Sequence, residues 1–243
     1  MKSFFVATLT FSLALASNIL LVGCGPQADP GPKPAQGKTE HWGDEGTSNK
    51  ETPTAKDGEK VTPPDWSSPG GKIKFKDGAD KTLFSIKPKD NGAKLVDGSD
   101  PEKELFRYTW DGKEWKIKDP ADKVIGYIVV RENYFEARDP DKKTTHFRLQ
   151  SQADGDYKLE DPEGKLLRKI KKRDYGWEVE DDAEKSLAKI KSKDGKTSAR
   201  DAADKTLFAT KDTVKTLAVA CLALDNISEQ AFRAGFAVAV EGK

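Results

Sequence analysis

Between Lys72 and Lys211 apolar and charged residues alternate over short stretches, as in Trp115-Lys-Ile-Lys118 and Trp177-Glu-Val-Glu180. A period of two places the two kinds of side chain on opposite faces of a β-strand. Each stretch ends in an aspartate, followed by a turn and a second apolar segment, such as Leu166-Leu167 with Ile170 or Leu187 with Ile190. Asp161-Pro-Glu-Gly-Lys165 shows the turn chemistry. The Asp accepts backbone hydrogen bonds, the Pro presets φ, and the Gly takes a positive φ. The unit is a β-hairpin.

It recurs seven times, anchored at Asp77, Asp97, Asp119, Asp139, Asp161, Asp181 and Asp201, with separations of 20, 22, 20, 22, 20 and 20 residues. A lysine follows four residues after the aspartate in six copies and six after it, at Lys103, in the other. Asp77–Phe84 and Asp201–Phe208 differ at a single position. Internal duplication therefore sets the architecture. Seven hairpins predict twelve to fourteen antiparallel strands, and a sheet that long closes to remove its edges. About eight strands already make a barrel that its own side chains fill, so a dozen need a plug.

The chain supplies one after the last repeat. Asp212 or Thr213 is placed to cap a helix over about 212–225, and Leu217–Leu224 is apolar on nearly every face, as a core helix is. Its eleven residues from Val214 rise about 16 Å, half of a bilayer's hydrocarbon layer of about 30 Å. Ser228 is placed to cap a further segment through Phe232, Phe236, Val238 and Val240, whose spacing fits helix and strand alike. The expected fold over 72–243 is mainly β: a repeat-built antiparallel closed barrel of about 12 strands around a hydrophobic C-terminal helix.

The N-terminus follows different rules. Lys2 gives a positive start, and apolar residues run from Phe4 to Ala16 and on to Gly23, the grammar of an export signal. Leu21-Val22-Gly23-Cys24 resembles the lipobox of bacterial lipoproteins. That resemblance implies cleavage before Cys24, diacylglycerol on its thiol and usually an acyl group on the new amine. Two or more chains hold a protein stably on a membrane where one does not. Gly25, not the Asp that retains some lipoproteins at the inner membrane, follows Cys24. The address implied is the outer membrane, on its periplasmic face or at the cell surface. Residues 24–71 contain eight of the thirteen prolines and few apolar residues, so a disordered tether of roughly 35–40 Å is expected. His41, Trp42 and Trp66 interrupt its composition; a solvated or lightly docked role suffices for them, since one histidine makes no metal site.

Loss of residues 1–23 removes Lys2 and no acid, leaving 41 basic and 41 acidic residues. A net charge of zero gives no global pull towards nucleic acid, and none is expected as a partner. Once Cys24 is lipidated, Cys221 is the remaining thiol, which excludes a disulfide framework within one chain and argues against a cysteine metal site.

The hairpin repeat, with its aromatic-x-apolar-x-Asp pattern, and Leu217-Ala-Val-Ala-Cys-Leu-Ala-Leu-Asp225 together resemble the tubby-like superfamily, in particular its LURP-one-related and phospholipid-scramblase-like branch. The resemblance covers about residues 72–225. It implies a closed barrel of twelve strands around a hydrophobic C-terminal helix, and a lipid-related role. The basic run Lys169-Ile-Lys-Lys-Arg173 offers Lys169, Lys171, Lys172 and Arg173 to an anionic surface, although acidic neighbours make a solvated face the simpler reading. The pairs Asp77 with Asp80, Asp139 with Asp141, and Asp201 with Asp204 suit turns better than Ca²⁺, since the loops lack the length and Glu of an EF-hand. His146 has no Ser-His-Asp or Cys-His context, and the strand aromatics Trp110, Trp115, Tyr134, Tyr157 and Trp177 fit a core as well as a glycan. No catalytic residue, metal site or cofactor is therefore expected. The sequence reads as a non-enzymatic envelope lipoprotein that binds or scaffolds an envelope protein or glycan; the alternative, from the resemblance, is phospholipid binding or handling.

Overall fold

The computed structural model describes residues 71–243. The export segment 1–23, Cys24, and the tether with His41, Trp42 and Trp66 lie outside the described residues, Gly71 excepted. Each repeat supplies two strands. The first three give β1 (Ile73–Lys76) and β2 (Thr82–Lys89), β3 (Gly92–Asp97) and β4 (Glu104–Trp110), and β5 (Glu114–Lys118) and β6 (Val124–Val130). The next two give β7 (Tyr134–Arg138) and β8 (Thr145–Ser151), then β9 (Tyr157–Glu160) and β10 (Leu166–Arg173). The last two give β11 (Gly176–Glu180) and β12 (Ser186–Lys193), then β13 (Lys196–Asp201) and β14 (Thr206–Thr210). Every strand pairs antiparallel with its neighbours in sequence, and β14 closes on β1 at Lys76↔Ala209. The barrel thus has fourteen strands, two beyond the expected dozen, because the first and last repeats both contribute complete hairpins to the wall.

The repeated aspartate builds the turn. Asp77 donates its N–H to the Lys81 carbonyl at 2.9 Å and receives the Asp80 N–H on its own carbonyl at 3.1 Å. Its Oδ1 accepts the amides of Ala79 and Lys81, each at 2.9 Å. The same bond from the lysine four residues on recurs at Asp119, Asp139, Asp161, Asp181 and Asp201. The third residue after the aspartate sits in the left-handed region: Asp80, Asp122, Lys142, Glu184 and Asp204 at φ of 62–67°, and Gly164 at 82°. The longer copy keeps the closure, with Asp97 N–H to the Lys103 carbonyl at 3.0 Å. There the Ser99 hydroxyl, then the Ser99 and Asp100 amides, hold the Asp97 carboxyl down to about 2.

At the seam, Phe75 of β1 stacks on Phe84 (centroids 4.9 Å apart) and meets Phe208 of β14 edge-on at 5.9 Å. The Lys74 N–H donates to Asp212 Oδ2 at 2.7 Å. Asp212 is thereby committed to the seam and does not cap the helix. The helix α1 is shorter than the expected 212–225 and runs from Thr216 to Leu222, with Lys215 at its N-cap and no side-chain cap.

Residues beyond Asp225 form a second core helix, α2 (Gln230–Glu241), with Glu229, not Ser228, at its N-cap. Geometry explains why one helix is not enough. Fourteen strands about 4.8 Å apart enclose at least about 21 Å, wide enough for two helices of about 10 Å each when their side chains are small. Ala218, Ala220 and Cys221 on α1, and Ala234, Gly235, Ala237 and Ala239 on α2, meet that condition. A Cβ at Gly235 would come within 2.9 Å of Ile128 and 3.2 Å of Ile117. Polar pins fix the helices to the wall: the Tyr108 hydroxyl donates to the Ala231 carbonyl at 3.0 Å, and Trp177 Nε1 to Thr216 Oγ1 at 3.0 Å. Lys215 Nζ donates to the Val240 and Glu241 carbonyls at 3.2 and 3.0 Å, capping the C-terminus of α2 beside the start of α1. The architecture is the closed barrel expected, with two strands and one lumen helix more than the tubby-like resemblance implies.

Candidate functional site

With the lumen occupied, the outward faces of the strands decide what the barrel presents. Most of that wall is a lattice of ion pairs. Glu136 on β7, 3% exposed, accepts Arg138 (2.5 Å) and Arg148 (2.9 Å) from two sides. Burial would raise its pKa, but the hydrogen bonds from Arg148 and Arg138 outweigh this and lower it. Glu104 holds Lys94 (2.5 Å) and Arg107 (2.9 Å), and Glu114 holds Lys142. Apolar residues face inward and charged ones outward, the reverse of a lipid-embedded barrel, whose outer face carries an apolar band.

The predicted basic run lies on β10 within this lattice. Register sets Lys169 opposite Glu180 and Lys171 opposite Glu178 on β11. Lys169 Nζ meets Glu184 at 2.7 Å, Lys171 Nζ meets Glu180 at 3.2 Å, and Arg173 meets Glu178 at 2.9 Å and Glu180 at 2.8 Å. The Glu178 hydrogen bond raises the Arg173 pKa, and the Lys169 hydrogen bond lowers that of Glu184. Lys172 falls on the opposite face, beside Trp177, and is exposed; its amide donates to Asp156 at 2.8 Å. The four residues therefore do not form one open cationic face.

A different hairpin does. Asp194 (φ 52°) and Gly195 (φ 71°) close the tight turn between β12 and β13, and the register that follows sets Lys193 opposite Lys196, Lys191 opposite Ser198, and Lys189 opposite Arg200. Like charges directly opposite each other destabilise a sheet. Ile190 and Ala199, both 0% exposed, fix the other face inward, so these cations point out. Lys191, Lys193, Lys196, Arg200 and Lys211 line a groove of about 460 Å³ together with Ser198 and Asp194. The floor is low because the outward residues there are small: Ser198 pairs with Ala209 on β14.

The acids nearby are few. Asp204 serves Arg200 at 3.0 Å and Lys191 at 3.6 Å. Asp80 is held by Lys76 at 3.0 Å; that hydrogen bond lowers its pKa, with lesser contributions from Lys211 and Lys196. Among the described residues, Lys193, Lys196 and Lys211 have no carboxylate within 4 Å. The groove is net positive, and what it is equipped to do is hold an anion. Composition hid it, because the Lys-Ile-Lys-Ser-Lys-Asp-Gly-Lys run at 189–196 is less dense than the run on β10. The signal was the two-residue Asp-Gly turn, which fixes which lysines meet.

The other candidates have structural employment. The turn aspartates accept their own backbone amides, and among the described residues no group of three or more His, Cys, Asp or Glu is arranged to hold a metal. Cys221 is fully buried in α1, where burial pushes its thiol pKa up and keeps it protonated. His146 lies 5.4 Å from the Phe232 ring of α2. Trp110 and Trp115 are buried 5.2 Å apart, Tyr157 meets Trp177 at 6.0 Å, and Tyr134 lies under Arg148 at 5.2 Å. Compared with protein-family models, with curated proteins and with solved structures, the chain matches none.

Proposed function

We propose that this protein is a cell-envelope lipoprotein, exported and held by acyl chains on Cys24, whose barrel is a non-enzymatic binding or scaffolding module. The observation that carries the binding role is the filled lumen: with α1 and α2 inside, a ligand engages the outer wall, and in the β12–β13 groove of that wall cations outnumber acids. The lipobox resemblance at Leu21–Cys24 supports the anchor, and Gly25 supports the outer membrane as its address. The Pro- and Gly-rich composition of 24–71 supports capture of an envelope component at a distance from the membrane.

The test is a crosslinked pull-down of the lipidated protein from its native envelope, with Cys24→Ala as the unanchored control. Enrichment of one protein or glycan that depends on the barrel is the expected result. A turnover abolished by one substitution in the barrel would contradict the non-enzymatic reading. Recovery of phospholipid alone, beyond the control, would replace it with the lipid handling that the tubby-like resemblance implies.

A further inference from the structure

We infer that the β12–β13 groove binds a linear polyanion of the phosphodiester or polyphosphate class, its charges laid along the hairpin. The inference rests on reading the barrel as a binding module and names the chemistry of its ligand. Outward positions on a strand recur every second residue, about 6.7 Å apart, so Lys191 and Lys193 follow one another along the groove, with Lys189, opposite Glu178 on β11, beyond its end. Lys196 and Arg200 form a second row one strand away, with the small Ser198 between them as a low floor. Two parallel rows beside a shallow channel match an extended chain with charges at intervals, where a single small anion would meet only one rung.

Three features favour phosphate and a polymer over the alternatives. Four of the five cations lining the groove are lysines, which hold phosphate as point charges and need no bidentate fork. Of the exposed large hydrophobic residues, Leu83 and Leu207 lie outside the lining and Tyr175 is covered on one face by Lys191, so the groove carries no apolar cluster to insert into a bilayer. The like-charged rung Lys193↔Lys196 is unfavourable in the free protein and is relieved by an anion between the two.

The test uses the full mature chain with Cys24→Ser and measures binding of long-chain polyphosphate, orthophosphate, polyglutamate and phosphatidylglycerol vesicles at several salt concentrations. Expected is tight binding of long polyphosphate, at least about 100-fold weaker binding of orthophosphate, and a salt slope reporting about three to five phosphate contacts. The pair Lys193→Glu with Lys196→Glu should weaken polyphosphate binding at least about 30-fold, whereas Lys169→Glu with Lys171→Glu should change it less than about threefold. Circular dichroism and melting of both variants confirm that they fold. Equal losses in the two variants would overturn the assignment of the groove, and polyglutamate binding as well as polyphosphate would overturn the phosphate class. Vesicle binding without polyphosphate binding would overturn the polymer and leave a binding module. Binding of no probe would overturn this inference, while the pull-down judges the module independently.

Discussion

The hairpins β10–β11 and β12–β13 come from adjacent repeats, carry alternating lysines on their outer faces and differ in what lies opposite those lysines. On β11 the partners are Glu178 and Glu180; on β13 they are Lys196, Ser198 and Arg200. With Glu184 just beyond β11, these acids match Lys169, Lys171 and Arg173 one for one, and the first hairpin adds to the lattice that wraps the barrel. The second shares one acid, Asp204, between Lys191 and Arg200 and leaves Lys193 and Lys196 to solvent or to a ligand. Register, not composition, turns one repeat into structure and its neighbour into a candidate site.

Each side of the contrast can be broken, and the largest effect is collective. Glu136, Glu178 and Glu184 have lowered pKa values, so their contribution to stability is present above the ordinary carboxylate value of 4.5 and is lost as pH falls through the lowered values. The melting temperature should hold from pH 7 to about 5 and fall steeply below about 4.5. Glu136→Ala comes next. It strips both guanidinium groups of their shared carboxylate and should cost about 2 kcal/mol in urea unfolding, the low end for charged hydrogen bonds because the freed arginines reach water. Glu180→Gln should cost about 1–2 kcal/mol and, by leaving Lys171 and Arg173 less balanced, give β10–β11 a weak affinity for polyphosphate. If that variant binds no better than the parent, a net-positive hairpin face is insufficient and the shape of the groove matters more.

Much of the wall was legible from local chemistry. The aspartates at intervals of 20 or 22 residues mark real turns, since each carboxylate bonds amides within its own loop. The parts that escaped depend on residues far apart in the chain. Asp212 looks like a helix cap, but its partner is the Lys74 amide, brought there by closure of the barrel. The need for two helices comes from the lumen width, which is settled only when β14 meets β1. Phe232, Phe236, Val238 and Val240 fit both periods, and the helix they form packs inside a lumen whose walls, such as Ile128 against Gly235, come from distant strands. The predicted basic run on β10 is denser than the groove's lysines, and only the strand beside it reveals that it is paired.

The claim at the centre of this account is that β12–β13 keeps unneutralised charge at a cost in stability, and Lys193→Glu tests it directly by urea unfolding at low and high salt. The substitution sets an acid opposite Lys196. The account predicts a gain of about 0.2–0.5 kcal/mol over the parent at low salt, shrinking towards zero at high salt. A loss of stability, or a gain independent of salt, would contradict it.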